Sequence, residues 1–258
     1  MSSSSPDEHA ERFTLLRPLL FTIAYEILGS ATEADDVLQD SYLRWAGVDL
    51  AEVRDTKAYL AQLVTRQALN TLRAGARRRE DYVGPWLPEP LRVDENDAST
   101  DVVLAESVSM AMLVVLETLG PDERAVFVLR EVFGFTHDEI ATAVGKSEPA
   151  VRQMAHRARA HVQARRRRVE RVDAAQSELI TTKFLTAAAT GDLHALMDLL
   201  APDVVFTSDS DGKVSAARRP VFGAEKVGRL ILGLMRRAGE DYRFELAVCN
   251  GAPALVSY

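Results

Sequence analysis

Cysteine is nearly absent: Cys249 is the only one in 258 residues. No internal disulfide is possible, which fits a reducing cytoplasm. Long apolar runs are also missing, so no segment reads as a bilayer span. The opening MSSSSPDEHAER has neither the basic start nor the apolar stretch of a secretory leader. A cytoplasmic location without a membrane partner is therefore expected. Enzyme signatures are lacking too, with no GxSxG, no P-loop, no Rossmann glycine pattern and no clustered His/Cys ligands. His9, His137, His156, His161 and His194 are scattered. No catalytic residue, cofactor or metal site is expected.

The net charge of -7 argues at first against a nucleic-acid partner, but the charge is segregated. Arg54, Lys57, Arg66, Arg73, Arg77, Arg78 and Arg79 face a single acid, Asp55, between positions 54 and 79. Lys146, Arg152, Arg157, Arg159, the run Arg165 to Arg168 and Arg171 face only Glu148 and Glu170. An acidic stretch with Asp81, Glu89, Asp94, Glu95, Asp97, Asp101 and Glu106 lies between them. Two basic blocks around an acidic spacer point to two separate contacts with DNA.

Residues 8–80 read as helical, with FTLLRPLLFTIAYEIL ended by Gly29 and Ser30. Thr32 is the expected N-cap of a second helix to Trp45, and a third starts near Thr56. Residues 81–103, with Gly84, Pro85, Pro88 and Pro90 and then DENDASTD, read as a linker. Residues 104–170 are helical again. Residues 174–258 differ: a helix at 175–190, an alternating VVFTS, a helix at 224–238, then strand-like RFELAVC and ALVSY. The expected architecture is multidomain, two all-α modules followed by an α+β module.

The sharpest local pattern is FTHDEIATAVGKSEPAVRQMAHRARAHV. Thr136 and Glu139 form a capping box. Ile140, Ala141 and Val144 face inward, Gly145 allows a tight turn, and Ser147 with Pro149 starts the next helix. Ala150, Val151, Met154, Ala155 and Ala158 supply a small apolar back. Arg152, Gln153, His156, Arg157 and Arg159 supply the polar front that a major-groove helix needs. Arg152 and Gln153 are the expected base readers, and Arg157 and Arg159 the expected phosphate contacts.

ATEADDVLQDSYLRWA followed by KAYLAQLVTRQALNTLR resembles the extracytoplasmic-function sigma factors. In that family an acidic helix docks on the clamp helices of core RNA polymerase, which assigns Asp35, Asp36, Gln39 and Asp40 that role here. The next helix reads and helps melt the −10 promoter element, and Gln62, Thr65, Arg66, Asn70 and Arg73 are the matching positions, expected to be exposed. The loop from Gly47 to Asp55 corresponds to the segment that captures a flipped base. Melting needs cations beside aromatic or amide platforms, but Trp45 and Tyr59 stand at helical spacing and are expected in the core. LETLGPDERAVFVLREVFGFTHDEIATAVGKSEPAVRQMAHRARAHV resembles the family's −35-binding domain. Gln153 and Met154 replace its usual Ser and Arg, so promoter preference does not carry over.

WLPEP at 86–90, DSDGKV at 209–214 and NGAPA at 250–254 resemble the subgroup with a C-terminal SnoaL-like (NTF2-like cone) extension, the SigJ type. The resemblance implies regulation in cis, with no separate anti-sigma factor required. Trp86, Pro88, Asp211, Gly212 and Lys213 are the expected regulatory contact. The implied domains are sigma region 2 at 8–80, the linker at 81–103, sigma region 4 at 104–170 and the extension at 174–258. The cone is expected to be incomplete, because few strands fit before Tyr258. Two rivals remain. A plain helix-turn-helix regulator leaves the acidic helix and first basic helix unused. A cone enzyme needs an acid–base pair, for which only His194, Asp209 and Asp211 stand near.

Overall fold

The computed structural model describes residues 6–80, 86–92, 109–165, 174–209, 219–238 and 243–258. The chain divides into two compact units. The first comprises residues 1–80 and 88–167, the second residues 81–87 and 168–258. No helix among the described residues is long and apolar enough to cross a membrane.

The first unit opens with α1 (Pro6–Leu28) and α2 (Ala31–Trp45). Gly29 takes φ +73 between them, a backbone state that favours glycine. Space enforces the same choice, since a Cβ there would sit 2.7 Å from Glu117 Oε1. With Gly29 closing α1, Ser30 becomes the N-cap of α2 in place of the expected Thr32. Its Oγ accepts from Glu33 N at 3.1 Å. A 3-10 turn at Leu50–Glu52 precedes α3 (Thr56–Glu80). Trp45 is fully buried and donates from Nε1 to the His9 carbonyl at 2.9 Å. Tyr59 leans on it with ring centroids 5.7 Å apart. Trp45 is thus a core residue, and its replacement by alanine costs about 3–5 kcal/mol.

The same unit continues with α4 (Met110–Leu116) and α5 (Pro121–Phe127), which runs into a π-helical turn at Val128–Val132. Then come α6 (His137–Val144) and α7 (Glu148–Arg165). The capping box at Thr136 and Glu139 forms in both directions. Gly145 ends α6 at φ 70. One hydrophobic core runs from Phe13 through Leu60 and Leu129 to Val162, so the two helical modules share a packed interior. α3 lies against both α6 and α5. Arg124 is buried to 1% exposure at this junction. It donates to the Glu26 carbonyl at 3.0 Å and to Glu117 at 2.5 Å. A buried guanidinium needs such partners, because desolvation otherwise exceeds what it gains.

The second unit is α+β. It contains α8 (Ala174–Thr190), α9 (Leu193–Leu199) and α10 (Ala224–Ala238), packed around Ala187, Ala188, Leu196 and Leu232. β1 (Val205–Phe206) pairs antiparallel with β2 (Val221–Phe222), and β3 (Phe244–Cys249) with β4 (Ala252–Ser257). Among the described residues these remain two separate two-stranded sheets. Asn250 and Gly251 join β3 to β4 with φ 49 and 70. Two positive φ values in a two-residue loop are what a type I′ hairpin requires, and Asn-Gly is the favoured pair.

Candidate nucleic-acid interface

The acidic helix α2 buries Ala34, Val37, Leu38, Ser41 and Trp45. Asp36, Gln39 and Asp40 are left exposed on the opposite face. Spacings of three and four residues put them side by side. Asp35 is half-buried and pairs with Arg17 at 2.8 Å. The four expected polymerase-binding residues therefore share one surface, three of them open to solvent.

The −10 set on α3 is placed differently. Gln62 and Arg66 both donate to the Thr142 carbonyl on α6, at 3.4 and 2.8 Å. Arg73 pairs with Asp122 on α5 at 2.5 Å. Asn70 is exposed. Thr65 corrects the sequence reading, for it is fully buried rather than on an open face. It lines a cavity of about 140 Å³ between α3 and α6, with Ala61, Leu129 and Ile140 around it. The physical reason is that α6 covers this stretch of α3, which helical periodicity within α3 does not reveal.

On α7, Val151, Met154, Ala155, Ala158 and Val162 are buried, while Arg152, Gln153, His156, Arg157 and Arg159 are exposed. Ala150 is half-buried. Gln153 and His156 have no hydrogen-bond partner among the described residues. The arginines are paired: Arg152 with Glu148 at 2.6 Å, Arg157 with Glu123 at 3.0 Å, Arg159 with Glu131 at 2.5 Å. The hydrogen bond and charge of Glu131 push the Arg159 guanidinium above its ordinary value. Exposed pairs of this kind contribute little to stability, so a phosphate can replace the carboxylate at small cost.

Asp122 was not anticipated. Its two carboxylate oxygens are taken by Arg73 of α3 and by Lys146, in the turn of the helix-turn-helix, at 2.5 and 2.9 Å. Burial alone raises its pKa, but the hydrogen bonds and charges of Lys146 and Arg73 outweigh it and hold the carboxyl below the usual value. No local pattern signals this role, because the partners stand 49 and 24 positions away.

The WLPEP segment falls in both units. In the second, Trp86 is half-buried and Leu87 N donates to Asp209 Oδ2 at 3.0 Å. In the first, Pro88 is buried, and Glu89 N donates to the Gly29 carbonyl at 2.8 Å. The Glu89 carbonyl accepts from Tyr25 Oη at 2.6 Å. Its carboxylate accepts from Ala31 N and Thr32 N at 2.7 and 3.3 Å, covering the positive end of α2. Asp211, Gly212 and Lys213 lie outside the described residues.

Residues 13–78 match the model of Sigma-70 region 2, and residues 109–162 that of Sigma-70 region 4. The chain is 42% identical over 244 residues to the ECF RNA polymerase sigma factor SigJ of Mycobacterium tuberculosis, spanning 93% of this chain and 78% of the relative. It is 32% identical to a probable ECF RNA polymerase sigma factor, SigI, of the same organism, over 84% of this chain and 73% of that one. The crystal structure of the Mycobacterium tuberculosis extracytoplasmic function sigma factor SigJ superposes with a TM-score of 0.76 at 37% identity. It covers 95% of this chain and 83% of that one. Helices with a shared core, an acidic α2, an occupied α3 and a capped helix-turn-helix thus belong to a known lineage: this chain is a member of the extracytoplasmic-function RNA polymerase sigma factors, which initiate transcription and are not enzymes.

Proposed function

We propose that this sigma factor is controlled in cis by its C-terminal α+β unit, with no separate anti-sigma factor required. The observation that carries this reading is the split anchoring of WLPEP. Leu87 is held within the second unit by Asp209, and the next two residues are held within the first at the start of α2. A rigid, proline-rich strap loses little entropy on docking. A change at its Leu87 end is therefore transmitted along two covalently consecutive residues to the helix that carries Asp35, Asp36, Gln39 and Asp40. These four residues dock α2 on the polymerase clamp helices. Gln62, Arg66, Asn70 and Arg73 serve the −10 element, and Arg152, Gln153, His156, Arg157 and Arg159 the −35 element. Domain limits of 8–80, 81–103, 104–170 and 174–258 and a cytoplasmic setting go with this reading.

Asp209→Ala tests it. Transcription with core polymerase from a matched promoter is expected to differ between the variant and the unaltered chain while the helical unit keeps its unfolding temperature. Equal transcription from both folded proteins contradicts regulation through the strap.

A further inference from the structure

Four side chains at or beside the reading surfaces are spent inside the first unit: Gln62 and Arg66 on the Thr142 carbonyl, Arg73 and Lys146 on Asp122. A carboxylate offers Arg and Lys what a phosphate offers, two anionic oxygens within hydrogen-bond reach. We propose that Asp122 is an internal stand-in for a promoter phosphate, latching α3 to the helix-turn-helix until DNA competes for Arg73 and Lys146. This rests on α3 being the −10 reading helix.

Geometry makes the latched state unable to use a promoter. The −10 and −35 elements are about 25 base pairs apart, roughly 85 Å along the duplex at 3.4 Å per step. Arg66 of α3 touches Thr142 of α6 directly, and α6 packs on the recognition helix α7. Two helix diameters, roughly 20 Å, therefore separate the two readers. Engaging both elements requires α3 to leave α6, and leaving breaks the Arg73–Asp122 pair together with both bonds to Thr142, while the Lys146–Asp122 pair lies within the helix-turn-helix module.

The latch is also weak enough to yield. The side chains of Arg73 and Lys146 are 47% and 35% exposed, so each pair is screened by salt and adds little free energy. A DNA polyanion replaces one carboxylate by a row of phosphates. Asp122 itself sits on α5, outside both reading surfaces, so its charge can be removed without touching a DNA contact.

The test compares full-length chains carrying Asp122→Asn or Asp122→Ser with the unaltered protein and with Glu11→Gln, an exposed change of equal charge on α1. Hydrogen–deuterium exchange of amides in α3 and α6 reads the seam. Fluorescence anisotropy with a mixed-sequence duplex of roughly 40 base pairs, long enough to span both elements at 3.4 Å per step, reads affinity at low salt. Both Asp122 variants are expected to exchange faster in these helices and to bind DNA more tightly. The gain should reach up to about fivefold, the limit set by the one partly exposed ion pair that crosses the seam. Glu11→Gln should change neither. Unchanged exchange in both Asp122 variants overturns the latch itself. Faster exchange without tighter binding overturns the competition, and places the fault in the assignment of α3 as a DNA reader.

Discussion

Gln153 and Arg159 both project from α7, and the proposed reading gives them different work. Gln153 is exposed without a partner among the described residues and can turn both amide groups to a base edge. Arg159 is clasped by Glu131 and can exchange that carboxylate for a phosphate. Gln153→Ala is expected to cost about 1–3 kcal/mol on the preferred −35 sequence and to relax choice at one position. Arg159→Ala should weaken binding evenly across sequences and reduce the salt slope by about one. Competition binding on a −35 library at several salt concentrations separates the two patterns. Asp122 carries a pH signature as well. Its carboxyl is held below its ordinary value in the folded chain, so its contribution is complete at neutral pH and is lost as pH falls through the lowered value. Urea midpoints should drop less between pH 5 and pH 3 for Asp122→Asn than for the unaltered protein.

Among the elements, α2 shows most plainly how local chemistry and tertiary contact divide the work. Its Asp36, Gln39 and Asp40 were marked by the family resemblance, and their exposure follows the helical period. Reversing Asp35 and Asp36 to lysine should weaken retention of core polymerase in a pull-down while leaving the helical unit folded. Undiminished retention removes α2 from the polymerase contact. The other end of α2 was not readable. Glu89 covers its first amides from 58 positions away. Glu89→Ala is expected to lower the unfolding free energy by about 1 kcal/mol, the usual worth of a lost N-terminal cap, measured by thermal denaturation. The helix-turn-helix was legible nearly to the residue, since a capping box, a left-handed glycine and a small apolar back are all short-range signals. Strand β1 falls in the alternating VVFTS stretch, whereas the two-residue β2 gave no usable period. Thr65 was misplaced for the same reason that Asp122 was missed: packing of α3 against α5 and α6 is a long-range event with no trace in either segment alone.

Across the whole chain, two modules that must read separated promoter elements share one hydrophobic core, and a strap anchored in each unit precedes the second of them. In the proposed account closure and promoter use are alternative states, and the α+β unit biases them through the strap. Run-off transcription by purified core polymerase tests this most directly, on a promoter selected from a library, with three forms of the protein. These are the full-length chain, a chain ending at residue 173, and Trp86→Ala. Initiation should require the added factor, and the two altered forms should differ from the full-length chain in output while each keeps its helical unit folded. Factor-independent initiation, or equal output from all three, would contradict a sigma factor governed from within its own chain.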